Sequence, residues 1–114
     1  MFHYQIDFPD SQVSPAVKER IEDELNELGN QYTYITSCHI AVRIPHKHKG
    51  RPFFHIHVKL EVPGKTFVID REPETREEHR DVYLALRDTF DILERKLRKH
   101  NQKLKNHMHH KEAI

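Results

Sequence analysis

Residues 53–62 read FFHIHVKLEV, and this stretch decides the fold. From Phe54 onward, apolar and polar residues alternate without interruption. Because successive side chains of a strand point to opposite faces of a sheet, this period of two predicts a strand with one apolar face and one polar face. The Pro63-Gly64 pair that follows is typical of a tight turn, so a second strand is predicted from Lys65 to Asp70.

Two further strands are predicted before this hairpin. Residues 2–8 alternate apolar and polar side chains as far as Pro9, and residues 35–44 do the same as far as Pro45. The segment between these two strands is long enough for a helical crossover, which makes the strands parallel. The links among the last three strands are short, so we expect those strands to form an antiparallel meander.

Two amphipathic helices complete the pattern. The first is predicted between the first two strands, with Ser14 as its N-cap and Gly29-Asn30 as its C-terminal stop. The second is predicted from about residue 80 to about residue 105, because apolar residues recur there at helical spacing. These residues are Val82, Leu86, Phe90, Leu93 and Leu97. Residues 106–114 lack such a face and are expected to form a flexible tail.

The order of these elements predicts an α+β fold. Strand, helix, three strands and helix give a two-layer sandwich, in which a four-stranded mixed sheet carries both helices on one face. A chain of 114 residues fits one domain, which we place at residues 1–105. The single cysteine, Cys38, lies on the apolar side of its strand and predicts a buried thiol in a cytoplasmic protein. The sequence has no apolar run of membrane-spanning length.

Charge is sorted along the chain although the net charge is only +1. Residues 1–34 contain 2 basic and 7 acidic residues, and residues 70–93 contain 4 basic and 8 acidic residues. Residues 35–69 contain 6 basic residues and 1 acidic residue, and residues 94–114 contain 7 basic and 2 acidic residues. Such zones present a local positive surface to a polyanion even when the global charge is near zero.

Two groups of basic residues are candidates for contacts with nucleic acid. On the second helix, a stripe of Arg95, Arg98, Lys99 and Lys103 has Lys96 beside it, and a phosphate backbone could follow this stripe. The alternative is a purely structural role, in which these residues form a solvated helix end that compensates the helix dipole. That role needs only one or two charges. The second group surrounds the loop between strands two and three: Arg43, Lys47, Lys49 and Arg51. Its alternative is a soluble edge loop.

Histidines and catalytic patterns give weaker indications. His39, His55 and His57 share the polar sheet face and could approach one zinc ion, but exposed strand histidines are the favoured interpretation. No metal or cofactor is therefore predicted. The sequence contains no glycine-rich phosphate loop, nucleophile motif or credible pair of catalytic carboxylates, so an enzyme is not predicted. The aromatic residues Phe54, Phe67, Tyr83 and Phe90 are expected in the core.

The second half of the chain resembles a known family. DVYLALRD at residues 81–88 and LERKLRKH at residues 93–100 resemble the last helix of the short ribosome hibernation-promoting factors. The same family is called ribosome-associated inhibitor A, or the sigma-54 modulation proteins. The likeness extends to ITSC at residues 35–38 and to the turn at residues 62–64, and it covers roughly residues 1–105.

The resemblance implies a ribosome-associated translation inhibitor that occupies the messenger and transfer RNA channel of the small subunit. In such proteins, Lys and Arg of both helices face phosphates of ribosomal RNA, and the matching residues of this chain are Arg95, Arg98, Lys99 and Lys103. The first helix departs from that pattern, because acidic residues outnumber Lys18 and Arg20. The expected partners are the small subunit and its ribosomal RNA.

Three expectations about function follow from the residues and the resemblance together. The favoured one is a non-enzymatic hibernation factor that is monomeric away from the ribosome. The second is a general module for structured RNA without ribosome specificity. The third is a histidine-rich metal-binding protein.

Overall fold

The computed structural model describes residues 2–9, 14–43, 54–70 and 81–112, with side chains of the last helix described as far as residue 105. Its elements are β1 (His3–Asp7), α1 (Pro15–Gln31), β2 (Ser37–Arg43), β3 (His55–Val62), β4 (Lys65–Asp70) and α2 (Val82–Glu112). The predicted order of β-α-β-β-β-α is confirmed. Ser14 caps α1 as predicted, because its hydroxyl accepts a hydrogen bond from the backbone N–H of Val17.

The four strands form one mixed sheet in the order β1-β2-β3-β4. β1 and β2 are parallel, with Tyr4 opposite Cys38, whereas β2-β3 and β3-β4 are antiparallel. The β3-β4 turn requires a glycine, since Gly64 has a φ of 80°, in the left-handed region that side chains disfavour. These observations confirm the predicted crossover and meander.

Both helices pack on the same face of the sheet. The inner strands contribute fully buried residues such as Ile40 and Leu60, and α1 contributes Ile21 and Leu25. From α2, the buried stripe is Val82, Ala85, Leu86, Phe90, Leu93 and Leu97. The predicted two-layer sandwich is therefore confirmed, and we call the sheet face away from the helices the open face. The prediction that Tyr83 is a core residue was wrong, because it lies beside this stripe and is 39% exposed.

α2 is longer than the sheet that it covers. Its 31 residues span about 46 Å, whereas the eight residues of β3 span about 25 Å. The fully buried stripe ends at Leu97, and side chains from Gln102 to Lys105 are exposed. The helix continues to Glu112, seven residues beyond its predicted end, because no Gly or Pro follows the last core residue to stop it. The boundary at residue 105 between a domain and a flexible tail stays a prediction.

Neither helix resembles a membrane span. Within the described ranges, no helix has the combination of length and apolar composition that a bilayer crossing requires.

Candidate nucleic-acid interface

The part of α2 between residues 95 and 105, which contains the last core residue, carries six basic residues. At 100° per residue, all of them except Lys105 lie on the half of the helix opposite Leu97, and Lys105 lies just outside that half. All six are exposed, and we call them the basic face of α2: Arg95, Lys96, Arg98, Lys99, Lys103 and Lys105. Leu97 is fully buried, and this contact fixes the rotation of the helix that turns the basic face to solvent.

The position of the basic face argues against a role in compensating the helix dipole. The field of the dipole falls off within the last turn of a helix. α2 ends at Glu112, so Lys105 lies about two turns before the end and Arg95 lies farther still. The alternative of a solvated, dipole-compensating helix end therefore does not account for this cluster.

Most of these cations have no ionic partner in the described part of the chain. Arg98 is the exception, with Nη2 at 3.9 Å from Oε2 of Glu94, and its side chain is still 59% exposed. For the other five, no carboxylate of the described residues lies within 4.0 Å. The basic face therefore presents charge to solvent that a polyanion can neutralise.

Two tyrosines hold α2 at the point where the basic face begins. The hydroxyl of Tyr32 donates a hydrogen bond to Oε1 of Glu94 at 2.9 Å, and the hydroxyl of Tyr34 lies 3.4 Å from the carbonyl oxygen of Leu97. Burial raises the pKa of Tyr32 to about 12, and the hydrogen bond to Glu94 adds to this effect. Burial also raises the pKa of Tyr34. Both phenols are thus neutral donors at physiological pH.

A second contact brings the β3-β4 hairpin to the same part of α2. The ring of His100 packs edge-on against Phe67 at 5.7 Å and lies 6.2 Å from the ring of Tyr34. Lys65 places its ammonium 5.1 Å from the centre of the Phe67 ring. Sequence reasoning missed Lys65 and His100 as candidates, because only the fold brings the hairpin beside the helix.

The predicted residue Arg43 lies on a different surface. It is exposed at the last position of β2 and on the open face, whereas α2 packs on the other face near the residues that precede β2. The seven residues of β2 span about 20 Å. The basic candidates therefore belong to at least two separate surfaces. The other loop candidates, Lys47, Lys49 and Arg51, lie outside the described residues.

Comparison with known proteins places this chain in a family. Residues 4–105 match the model of the family described as sigma 54 modulation protein / S30EA ribosomal protein. The chain belongs to this family. The match covers all six elements of the fold apart from His3 of β1 and the last seven residues of α2, so the resemblance seen in the sequence is confirmed.

One relative with a curated name supports the same assignment. The chain is 29% identical over 96 residues to the ribosome hibernation promotion factor of Deinococcus radiodurans. This alignment covers 84% of the chain and 47% of that protein. The chain thus spans about half the length of the relative that it matches.

Two solved structures share the fold of this family member. A ribosomal subunit interface protein from Coxiella burnetii superposes with a TM-score of 0.70 at 23% identity, over 89% of this chain and 99% of that one. The N-terminal domain of Protein Y from Thermus thermophilus gives a TM-score of 0.66 at 15% identity, over 87% and 98%. At these identities the likeness supports the α+β sandwich alone.

α1 of this family member has an acidic outer surface. Glu19, Asp23 and Glu27 are exposed and follow one another at one-turn spacing. The other two acidic residues of α1 contact neighbouring side chains. Glu22 accepts a hydrogen bond of 2.6 Å from the hydroxyl of Tyr4, and Glu24 forms an ion pair with Arg20 at 3.1 Å. Hence the acidic residues of α1 oppose any contact between its outer surface and RNA phosphates.

The histidines of the open face pair with carboxylates. Nε2 of His39 lies 2.5 Å from Asp7, and Asp70 lies 2.6 Å from Nε2 of His55 and 3.5 Å from Nδ1 of His57. Among the residues that the structure describes, no three His, Cys, Asp or Glu side chains are grouped to hold a metal ion. The open face therefore gives the metal-binding alternative no support.

Two further features bear on catalysis. Cys38 is buried as predicted, and burial raises the pKa of its thiol to about 12, which leaves almost no thiolate at neutral pH. A cleft of about 650 Å³ lies beside the C-terminal end of α1, lined by Phe2, Asn26, Gly29, Asn30, Thr33 and Ile35. Its lining contains no carboxylate, imidazole, thiol or amine to serve in proton transfer.

Proposed function

We propose that this protein is a ribosome hibernation factor that binds the small ribosomal subunit and inhibits translation without catalysing a reaction. It occupies the channel that messenger and transfer RNA need, so its mechanism is steric exclusion. The observation that carries this proposal is the basic face of α2, six exposed cations on one half of a helix that extends beyond the core. Membership of the family and the name of the Deinococcus relative supply the ribosome as the partner.

The chemistry of the basic face suits ribosomal RNA. Lys and Arg contacts with phosphates give affinity and orientation without reading base sequence. A helix that carries cations along about 15 Å can follow a folded RNA strand, whose phosphates lie along an irregular surface. In this proposal, the contacts from α2 are made by Arg95, Lys96, Arg98, Lys99 and Lys103.

A second set of contacts comes from the other end of the sheet. There, the exposed Arg43 leads into a loop whose sequence adds Lys47, Lys49 and Arg51. Because Arg43 lies on the open face whereas α2 packs on the other face, and because Arg43 is about 20 Å along β2 from the residues near α2, two RNA segments are needed to engage Arg43 and the basic face together. A channel lined by RNA on more than one side meets that requirement, whereas a single duplex edge does not.

We also propose an oligomeric state, a cellular location and the partners of the protein. The protein acts in the cytoplasm, where ribosomes are, and it is a monomer away from the ribosome. Its partners are the small subunit and its ribosomal RNA. A general module for structured RNA is the second candidate, since phosphate contacts alone carry no preference for the ribosome.

Sucrose-gradient fractionation of a lysate that contains the protein tests the proposal. The expected result is co-migration with the small subunit that survives an excess of duplex RNA. If the duplex RNA removes the protein from the subunit, the general RNA-binding module is the better account. If the protein stays at the top of the gradient without competitor at low salt, both accounts fail.

A further inference from the structure

The open face of the sheet has a distinct arrangement of charge. Its two central strands, β2 and β3, carry five basic side chains on this face. In the register of these strands, Arg43 stands opposite His55 and His39 stands opposite Lys59, with His57 diagonal to both Arg43 and His39. Five groups that carry or can acquire a positive charge thus occupy one contiguous area on the two central strands.

Carboxylates bracket this area from the two edge strands. Asp7 of β1 contacts His39 at 2.5 Å, and Asp70 of β4 contacts both His55 and His57, at 2.6 and 3.5 Å. Hydrogen bonds from these histidines lower the pKa of both aspartates, so both stay ionised when the imidazoles take up protons. Two carboxylates therefore serve three imidazoles, and the third positive charge has no partner of its own among them.

The other charged groups that face this area do not remove the imbalance. Arg43 and Lys59 add two positive charges, and Glu61, 3.5 Å from Lys59, adds one negative charge. With neutral imidazoles, the described residues of the open face carry a net charge of −1. Protonation of His39, His55 and His57 changes this to +2, and protonation of His3 on the edge strand β1 makes it +3. The side chains of His39 and His57 are 43% and 34% exposed, so a ligand can reach them.

We propose that the open face is a second RNA-binding surface, which engages phosphates when its histidines are protonated. The proposal goes beyond the function proposed above, which uses only Arg43 of this face, because it assigns the three histidines a contact that depends on pH. Histidine is the side chain that ordinarily gains a proton between pH 5 and 8. Protonation and phosphate binding strengthen each other by linkage, since each favours the state that the other needs. Mild acidification therefore adds a second contact with RNA.

Fluorescence anisotropy with a labelled single-stranded polyuridine RNA at constant low ionic strength tests this proposal. We expect the affinity of the wild-type protein to rise about tenfold between about pH 7.5 and about pH 6, because protonated imidazoles add positive charge to the open face. The triple variant His39→Gln, His55→Gln, His57→Gln keeps donors for Asp7 and Asp70 and should lose most of this rise. Its affinity at the higher pH should match the wild type.

A matched variant controls for the other histidines of the chain. His107→Gln, His109→Gln, His110→Gln also removes three imidazoles, from the C-terminal part of α2, and should retain the rise in affinity. The variant Arg95→Glu, Arg98→Glu, Lys99→Glu should bind more weakly at both pH values and retain the same ratio. The ratio of the affinities at the two pH values tests the open-face proposal. The absolute affinity depends on the basic face of α2, which carries the proposed function, so the two failures can be told apart.

A further variant tests the same surface without replacing any histidine. Asp7→Asn with Asp70→Asn removes two negative charges and should raise RNA affinity several-fold at the higher pH. The proposal is overturned if this variant binds no better than wild type, if wild-type affinity does not change with pH, or if the open-face histidine variant keeps the full rise. Thermal melts of each variant establish that it is folded at both pH values.

Discussion

Tyr32 and Glu94 are 62 residues apart in the sequence, yet the hydroxyl of Tyr32 donates a hydrogen bond of 2.9 Å to the Glu94 carboxylate. Tyr32 is the residue that caps the C-terminal end of α1, and Glu94 directly precedes the basic face of α2. The contact thus links the two helices at the point where α2 starts to present its charges. It also keeps one carboxylate oxygen of Glu94 engaged beside Arg98.

Removal of the Tyr32 hydroxyl should destabilise the protein. We expect Tyr32→Phe to lower the free energy of unfolding by about 1 kcal/mol, because a partly buried carboxylate loses a donor. Tyr34→Phe is the matched control, since its hydroxyl lies 3.4 Å from its acceptor and makes at best a weak bond. Urea denaturation measures both. Equal losses in the two variants would show that the Tyr32-Glu94 contact has no special weight.

The raised pKa of Tyr32 predicts a loss of stability in alkali. Its pKa is about 12 in the folded protein, against 10.0 for an ordinary tyrosine. The folded state therefore holds this proton more tightly than the unfolded state does, so its contribution is complete below pH 10 and is lost as pH rises towards 12. We expect wild type to lose more stability than Tyr32→Phe between about pH 9 and about pH 11 in urea titrations. An identical loss in the two proteins would contradict this prediction.

Leu97 should be the last residue of α2 whose packing matters for stability. It is fully buried, and Leu97→Ala should cost about 3 kcal/mol through lost burial and the cavity that remains. Leu104→Ala is a matched control two turns later, where the side chain is 44% exposed, and should change stability by less than about 0.5 kcal/mol. Denaturant unfolding of the two variants measures the difference. Similar costs would mean that the core extends farther along α2 than described.

Cys38 should be unreactive while the protein is folded. Its side chain is 3% exposed, and burial raises its pKa to about 12, so neither access nor thiolate favours attack on a disulfide reagent. We expect an aromatic disulfide reagent to modify the native protein far more slowly than the urea-unfolded protein at the same pH. Comparable rates would show that the thiol is accessible in the native state.

Much of the fold could be predicted because its signals are local. The alternation at residues 54–62 and the stripe from Val82 to Leu97 depend only on the period of apolar residues, and both match the structure. The predicted end of α2 was wrong, since a helix can continue after its apolar face ends if no residue stops it. Tyr83 was misplaced for a related reason, because aromatic character alone does not decide which side of a helix faces the core.

The candidate site was only partly predictable because it depends on contacts between distant segments. The basic face of α2 follows from spacing within one helix. The anchoring of that helix by Tyr32 and Tyr34 requires the packing of α1 and α2, and the pairing of Asp7 and Asp70 with open-face histidines requires the strand register. The separation of Arg43 from α2 likewise became apparent only when strand direction and sheet face were known.

Reversal of charge on α2 tests the central claim. Arg95→Glu, Arg98→Glu, Lys99→Glu should fold normally, because these side chains lie off the buried stripe. Each phosphate contact releases counterions, so the triple variant should bind the small subunit at least about a hundredfold more weakly. It should also lower the slope of log affinity against log salt by about three. Asp23→Lys with Glu27→Lys, on the exposed acidic side of α1, is the control and should not weaken binding.

The most direct measurement is the affinity of the purified protein for isolated small subunits, taken by co-sedimentation over a series of salt concentrations. We expect a steep salt dependence for wild type and for the α1 control, and a lower affinity with a flatter salt dependence for the α2 variant. If the folded α2 variant keeps the affinity and salt dependence of wild type, the basic face of α2 is not the ribosome-binding surface and the account is contradicted.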